Sequence, residues 1–234
     1  MPNSQQTLVD IGLPQTAKQE TWLELSSTFP HWSESSLSPK SHLVAGIDEV
    51  GRGALFGPVV AAAVILPASA LPKLIASEIK DSKQLSSSRT QKIAREICQL
   101  AIDWRIGYAN SAEIDQINIL QSTLLAMKRA VLKLKTQPQL CLVDGNQPIQ
   151  HLLIQQQTIV RGDQRSLTIA AASIVAKVWR DELIMRLASK YPQYHLAQNK
   201  GYGSPQHLAA LLQYGPSRLH RQSFRPCQVT TAIN

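Results

Sequence analysis

Residues 42–66 read HLVAGIDEVGRGALFGPVVAAAVIL, two apolar stretches separated by a glycine-rich segment. The stretches at 42–48 and 58–66 are rich in Val, Ile and Ala, which predicts two β-strands. Residues 49–57 hold three glycines and predict the turn between these strands. Because a short link suits antiparallel neighbours, we expect the sheet to open with a hairpin.

Strand and helix patterns alternate along the rest of the chain. Further strands are predicted at 102–109, 140–144 and 157–161. Helices are predicted at 87–100, 118–135, 167–190 and 205–214. Ala170, Ala171 and Ala172 make the start of the longest helix slender, so it can approach the sheet closely. Strands interleaved with helices predict an α/β fold in which helices flank a mixed sheet.

The first forty residues differ from the rest in composition and charge. They are rich in Ser, Gln, Thr and Pro, and two lysines against four acids give them a net charge of −2. We expect residues 1–41 to form an N-terminal extension that is partly disordered or packed on the surface. Residues 42–227 are predicted to form one folded domain, and residues 228–234 a short tail.

The 234-residue chain is basic, with 24 Lys and Arg against 16 Asp and Glu and a formal charge of +8. This balance favours an anionic partner, nucleic acid first, although charge alone also fits an ordinary basic protein. No acid follows Glu182, and the region beyond it is rich in basic and aromatic side chains. These side chains can bind phosphates and stack on bases. Alternatively, the region is a helical cap whose tyrosines are half-buried by packing. The basic and aromatic side chains of this region are Arg186, Lys190, Tyr191, Tyr194, Lys200, Tyr202, Tyr214, Arg218, Arg221, Phe224 and Arg225.

The cysteines and the hydropathy pattern indicate the compartment. Cys98, Cys141 and Cys227 are odd in number and lack metal-ligand spacing, which is typical of a reducing environment. No apolar run is long enough to span a membrane, and we find no signal-peptide pattern. We expect a cytoplasmic monomer without a membrane partner.

Acidic residues lie at the ends of two predicted strands: Asp48 and Glu49 on the first, and Asp144 on the 140–144 strand. Buried acids are costly without a partner, but a cluster of them can hold a hard cation such as Mg²⁺ or Mn²⁺. Strand alternation points Glu49 away from Asp48 unless the turn redirects it. Taken alone, Asp144 is also explained as a turn residue, because Gly145 and Asn146 follow it.

Two further acids compete for a place beside these three. Asp163 precedes the longest helix and can point into the space above the sheet, or it can cap the helix end. Asp181 lies inside that helix, four residues after Lys177, where a surface ion pair explains it. The geometry favours Asp163.

Two polar loops have candidate ligand-binding residues. Gly51, Arg52 and Gly53 directly follow the first acids, and the glycines allow backbone N–H groups to approach a ligand closely. Arg52 can contact a phosphate with two hydrogen bonds, but an exposed hairpin arginine is the simpler alternative. Residues 80–83, KDSK, either bind phosphate or form a solvated loop.

Together these motifs resemble those of the type 2 ribonuclease H family, and they follow in that family's order across residues 42–227. They are GIDEVGRG at 46–53, KDSK at 80–83, LVDGN at 142–146, GD at 162–163, AAASIVAK at 170–177, KGYG at 200–203 and HRQSF at 220–224. The related type 3 branch usually carries Lys where this chain has Arg52, and it adds a folded N-terminal domain, so type 2 is favoured.

The resemblance implies an RNase H-like fold, an α/β architecture with a central five-stranded mixed sheet, flanking helices and a C-terminal helical substrate-binding region. It implies four metal-binding catalytic carboxylates, Asp48, Glu49, Asp144 and Asp163, and two bound Mg²⁺ or Mn²⁺ ions. It also implies hydrolysis of the RNA strand of RNA–DNA hybrids, and cutting 5′ of ribonucleotides embedded in duplex DNA.

The resemblance further implies that Gly51, Arg52, Gly53 and Tyr202 read the junction between a ribonucleotide and the DNA that follows it. Only the 2′-OH separates RNA from DNA at one position, and a closely approaching backbone can probe it. Lys83 is predicted to bind substrate as well. The alternatives are another nuclease of the RNase H-like superfamily, a non-catalytic nucleic-acid-binding protein, and a metal-dependent phosphatase acting on small molecules.

Overall fold

The computed structural model describes residues 43–77, 79 and 86–228. The predicted N-terminal extension 1–41 lies outside the described residues, as do the 80–83 loop with Lys83 and residues 229–234 of the predicted tail.

A five-stranded mixed sheet forms the centre of the described fold. Its strands are β1 Val44–Val50, β2 Val59–Ile65, β3 Asp103–Ala109, β4 Leu140–Asp144 and β5 Gln155–Ile159. The spatial order is β3-β2-β1-β4-β5; β1 pairs antiparallel with β2, β2 with β3 likewise, and β4 pairs parallel with β1 and β5. The predicted α/β fold, its opening hairpin and the five-stranded mixed sheet are confirmed.

Helices cover both faces of this sheet. They are α1 Leu71–Ala76, α2 Ser87–Leu100, α3 Ser111–Leu132, α4 Gly162–Arg165, α5 Leu167–Ala188, α6 Leu196–Asn199, α7 Pro205–Tyr214 and α8 Arg225–Gln228. One apolar core lies between the sheet and helices α2 and α5, and a second lies between the opposite face and α3. No helix in the described part of the chain is long and apolar enough to cross a membrane.

Several predicted bounds differ from the structure by a few residues, and the start of α3 differs most. Helix α3 begins at Ser111 rather than 118, because Asn110 and Glu113 form a reciprocal capping box with two 2.9 Å hydrogen bonds. At Asn118 the backbone has φ 66°, which interrupts the helix and hides the continuity of its apolar pattern. Strand β5 begins at Gln155 rather than 157, so the predicted strand is right in type but starts late.

Helix α5 lies directly against β1, as its run of alanines predicts. A Cβ atom on Gly46 would lie 2.1 Å from the backbone carbonyl carbon of Thr168, so only glycine permits this contact. Ala170, Ala171 and Ala172 are buried against the sheet. This close packing holds α5 beside the end of β1, where the first two candidate acids lie.

The C-terminal region packs against the loop between β1 and β2. The carbonyl of Gly201 accepts hydrogen bonds from the backbone N–H groups of Leu55 (2.8 Å) and Phe56 (3.2 Å). Tyr194 is buried in the apolar cluster there. Arg221 is fully buried, so a surface role in phosphate neutralisation is wrong for it. The helical-cap interpretation therefore holds for these two residues, whereas Tyr202 is 37% exposed.

Candidate active site

The two central parallel strands bring two acids to one edge of the sheet. In the β1–β4 register Ile47 lies opposite Val143, so Asp48 and Asp144 are the next residues along neighbouring strands. Neighbouring strands are separated by about 4.8 Å, which places the two carboxylates within reach of one cation. The sequence pattern of acids at strand ends therefore corresponds to a real cluster.

Glu49 joins this cluster although strand alternation directs it to the other face. Oxygen atoms of Asp48, Glu49 and Asp144 all lie within 4.8 Å of one another. Glu49 is next to the last residue of β1, where β4 no longer runs alongside, and its longer side chain reaches the shared edge. Three carboxylates therefore cluster although Glu49 still lies within the strand.

Short hydrogen bonds hold the carboxylates in place. The Glu49 N–H donates to Asp48 Oδ1 at 2.6 Å, and the Gly162 N–H donates to Asp144 Oδ1 at 2.6 Å. The Ser173 side chain, on α5, lies near Asp48 and opposes the rise of its pKa. These contacts come from β1, α4 and α5, so three separate elements fix the geometry of the cluster.

Burial raises the pKa of Asp48 well above its ordinary value, and the charges of Glu49 and Asp144 raise it further. Burial is also the main cause that raises the pKa of Glu49, although Arg52 Nη1, 3.4 Å from Glu49 Oε1, opposes the shift. Such shifts mean that the ionised forms lack compensation within the protein.

The donor set fits a hard divalent cation. All three groups offer carboxylate oxygens, the ligands that Mg²⁺ and Mn²⁺ prefer. Glu49 Oε2 is buried and has no hydrogen-bond partner among the described residues, which is costly for a charged oxygen. A cation among Asp48, Glu49 and Asp144 would satisfy this oxygen and remove the mutual repulsion of the three charges.

A cleft of about 680 Å³ opens over the cluster and is lined by both competing acids. Asp163, in the first turn of α4, lines the cleft, but its carboxylate lies outside the group of oxygens within 4.8 Å of one another. Asp181 also lines the cleft, where it forms the predicted ion pair with Lys177. Asp181 therefore lies in the same cleft as the carboxylate cluster, which its explanation as a surface ion pair did not predict.

The predicted substrate-reading residues lie beside this cleft. Arg52 and Gly53 are exposed in the turn just beyond β1, Gly51 is buried there, and Tyr202 lines the cleft. A β-bridge between Ala54 and Tyr202 joins the 51–53 turn to the Tyr202 loop. Ser173 lies in the 170–177 motif, but sequence reasoning gave it no role; in the structure it lines the cleft beside Asp48.

Solved structures with this architecture define the class of protein. The ribonuclease H2 from Pyrococcus horikoshii OT3 is 25% identical, with a TM-score of 0.71 over 81% of this chain and 97% of that one. Bst-RNase HIII in complex with Mn²⁺ is 19% identical, with a TM-score of 0.69 over 82% of this chain and 70% of that one, a likeness of fold. The fold and the carboxylate centre are those of a metal-dependent nuclease of the ribonuclease H class.

Sequence comparison identifies the particular family. The family model described as Ribonuclease HII matches residues 45–227. The Ribonuclease HII of Nostoc sp. strain PCC 7120 is 66% identical over 230 residues, covering 98% of this chain and 99% of that protein. The chain belongs to the ribonuclease HII family and is a metal-dependent endoribonuclease, as its motifs predicted.

Proposed function

We propose that this enzyme hydrolyses the RNA strand of RNA–DNA hybrids and also cuts on the 5′ side of single ribonucleotides embedded in duplex DNA. The products would carry 5′-phosphate and 3′-hydroxyl ends. The observation that carries this proposal is the three-carboxylate cluster, which lies in one cleft with Tyr202 and beside the 51–53 turn. A cutting centre and a surface able to probe a 2′-OH are thus adjacent.

Asp48, Glu49, Asp144 and Asp163 are proposed to hold two divalent ions, Mg²⁺ or Mn²⁺. Support comes from the all-oxygen donor set, from the unpaired buried Glu49 Oε2, and from the Mn²⁺ bound by the structurally similar RNase HIII. When bound, such ions supply an activated water for in-line attack and stabilise the leaving 3′-oxygen.

The protein's own contribution is to preorganise the oxygens around the scissile phosphate. The Gly162 N–H fixes one oxygen of Asp144, and the Ser173 side chain lies near Asp48. Arg52 is the positively charged residue of the 51–53 turn and contacts Glu49. About half of its side chain is exposed and can reach a ligand. Preorganised groups of this kind need no rearrangement during the reaction.

Gly51, Arg52, Gly53 and Tyr202 are proposed to read the junction. Backbone N–H groups of the turn can hydrogen-bond the 2′-OH, and the Tyr202 ring would abut the next sugar, where a second hydroxyl would clash. Lys83 remains a predicted substrate contact outside the described residues. We further infer that residues 42–227 act as the catalytic domain of a cytoplasmic monomer; free Cys98, Cys141 and Cys227 support the compartment.

The test compares three labelled duplexes: DNA with one ribonucleotide, a uniform RNA–DNA hybrid, and all-DNA. We expect metal-dependent cutting of the first two and none of the third. Cutting of the hybrid alone would contradict the roles of the turn and of Tyr202. Cutting of all-DNA would indicate another nuclease of the superfamily, and binding without cutting would indicate a non-catalytic nucleic-acid-binding protein.

A further inference from the structure

Arg221 is a fully buried arginine whose guanidinium lies over the Phe224 ring and donates its hydrogen bonds to backbone carbonyls of the loop between β1 and β2. Its nitrogen atoms donate to the carbonyl oxygens of Gly51 (2.7 Å), Arg52 (2.8 Å) and Gly57 (3.0 Å). Three bonds from one planar group leave this loop few ways to move. Arg221 therefore holds the 51–53 turn from behind.

Arg180, on α5, is also fully buried and holds the other end of the same loop. It donates to the carbonyl oxygens of Phe56 (3.0 Å), Pro58 (3.1 Å) and Lys200 (2.9 Å). Its guanidinium carbon lies 5.3 Å from the centre of the Tyr202 ring, in cation–π geometry. One side chain thus connects the loop to the Tyr202 segment.

Arg180 packs so closely against Gly51 that no side chain fits between them. Gly51 has φ 89°, a conformation that favours glycine, and a Cβ atom there would lie 2.3 Å from Arg180 Nε. Arg180 consequently packs directly on the backbone that Arg221 holds.

Fixing the carbonyls also fixes the N–H groups. Across a trans peptide bond the C=O of one residue and the N–H of the next point in opposite directions. Since Arg221 draws the carbonyls of Gly51 and Arg52 inward, the N–H groups of Arg52 and Gly53 point away from it. Neither N–H has an acceptor among the described residues, and both residues are exposed. These two donors are free for a ligand.

Buried arginines are ordinarily compensated by carboxylates, and these two form no ion pair with any carboxylate of the described chain. Burial lowers the pKa of Arg180, and burial together with the charge of Arg180 lowers that of Arg221 to about 9. Burying two guanidinium groups without a carboxylate is costly, and six hydrogen bonds to backbone carbonyls compensate for it. The two positive charges lie behind the 51–53 turn, where they attract an anionic substrate.

We propose that Arg180 and Arg221 are positioning residues that lock the 51–53 turn and Tyr202 relative to one another, and so set the preference for an isolated ribonucleotide. The inference rests on the junction-reading role proposed above for the turn and Tyr202. A single ribonucleotide offers one productive register, whereas a uniform hybrid offers a 2′-OH at every position. Misplacing the reading surface should therefore harm the first substrate more.

The test uses Arg221→Lys, which keeps the positive charge but cannot form the three-way fork. Its matched control is Arg129→Lys on α3, where Arg129 also donates to a backbone carbonyl, that of Tyr108. We measure kcat and KM for the single-ribonucleotide duplex and the uniform hybrid, with circular dichroism to establish folding. We expect kcat/KM on the single ribonucleotide to fall about 10- to 100-fold, and on the hybrid less than about threefold. Arg129→Lys should match the wild type on both.

Equal losses on both substrates, or no loss, in a folded Arg221→Lys protein would overturn the proposal. If that variant does not fold, Arg180→Lys is measured in the same way. If neither folds, the two arginines support the whole domain rather than the reading surface, and the proposal is wrong. A wild-type enzyme that ignores single ribonucleotides would instead contradict the proposed function, which separates the two failures.

Discussion

Asp144 Oδ1 accepts the backbone N–H of Gly162 at 2.6 Å, which ties the carboxylate cluster to the turn that carries Asp163. The bond brings the neighbouring residue, Asp163, to the wall of the same cleft without placing its carboxylate among the three clustered groups. Asp163, the proposed fourth ligand, lies at the edge of the cluster and should affect metal binding more weakly than the three central carboxylates.

Asp163→Asn should therefore lower activity about 10- to 100-fold and raise the metal concentration needed for half-maximal cutting, because it removes one charged oxygen from the cleft. The matched control is Asp181→Asn in the same cleft, which weakens the ion pair with Lys177 but leaves the three-carboxylate cluster intact, and it should stay within about threefold of wild type. A metal titration of the cutting rate measures both. A larger effect at Asp181 would exchange the roles of the two acids.

Asp48→Asn should stabilise the metal-free protein at pH 7. Because the folded-state pKa of Asp48 is raised, its contribution to stability is full below the ordinary value of 3.8 and is lost as pH rises through the folded-state value. Ionisation of Asp48 thus costs more in the folded protein than in the unfolded chain, and asparagine removes that cost. Thermal unfolding in chelator should show Tm higher by on the order of 3 °C, the shift that 1 kcal/mol gives at this size.

This gain should shrink as the pH is lowered toward the ordinary value of 3.8, because Asp48 is then protonated in both the folded and the unfolded protein. A variant that is less stable than wild type in chelator at pH 7 would show that Asp48 is compensated by the protein alone, and that the cluster does not need a cation.

Site residues whose positions follow from local strand patterns could be predicted from the sequence, whereas those placed by contacts between distant segments could not. Asp48 and Asp144 were predictable because each ends an apolar strand, and parallel neighbours share one edge. The resemblance then supplied Glu49, which the alternation rule directs to the wrong face. Local rules could not supply it, since Glu49 stays within the strand and its side chain still reaches the carboxylates of Asp48 and Asp144.

The buried polar groups could not be predicted from sequence. Arg221 belongs to a basic stretch that indicates a charged surface, yet it is fully buried because its carbonyl partners lie 164 to 170 residues earlier in the chain. The start of α3 was missed for a different reason: the capping box at Asn110 is local, but the φ 66° break at Asn118 divides the helix in two.

A chain of hydrogen bonds through two neutral histidines, His220 and His207, ends on the backbone carbonyl of Tyr202. The Ser217 N–H donates to His220 Nδ1 at 2.9 Å, so His220 carries its proton on Nε2, 3.0 Å from Nε2 of His207. His207 must then carry its proton on Nδ1, where it donates to the carbonyl of Tyr202 at 2.9 Å. Nitrogen NMR of the imidazoles should find these two opposite tautomers at pH 7; two identical tautomers would contradict the chain.

The same pair should make stability depend on pH. Burial and the neighbouring His207 lower the pKa of His220 from 6.5 to about 4, so its contribution is full above pH 6.5 and is lost as the pH falls toward 4. The shift corresponds to on the order of 3 kcal/mol. In urea unfolding, wild type should lose that much more than His220→Phe over this range. His195→Asn, at an exposed histidine, should behave like wild type; equal pH dependence in all three proteins would refute the prediction.

Arg52→Ala should reduce cutting at single ribonucleotides more than it reduces affinity for duplexes in general. The assay is run at saturating metal, because the loss of the Arg52–Glu49 contact removes a charge that lowers the pKa of Glu49. Arg95→Ala, at an exposed arginine of α2, controls for the loss of one positive charge. Equal losses for Arg52→Ala on every substrate would mean that Arg52 only anchors a phosphate.

The central claim, that the carboxylate cluster is a metal centre that cuts at a ribonucleotide, is tested most directly by mapping one cut. A DNA duplex with one labelled ribonucleotide is incubated with wild type, Asp48→Asn or Asp181→Asn, in Mg²⁺, Mn²⁺ or chelator. We predict a single cut on the 5′ side of the ribonucleotide that leaves a 3′-hydroxyl, requires metal, survives Asp181→Asn and disappears in Asp48→Asn. Cutting in chelator, or an Asp48→Asn enzyme as active as wild type, would contradict it.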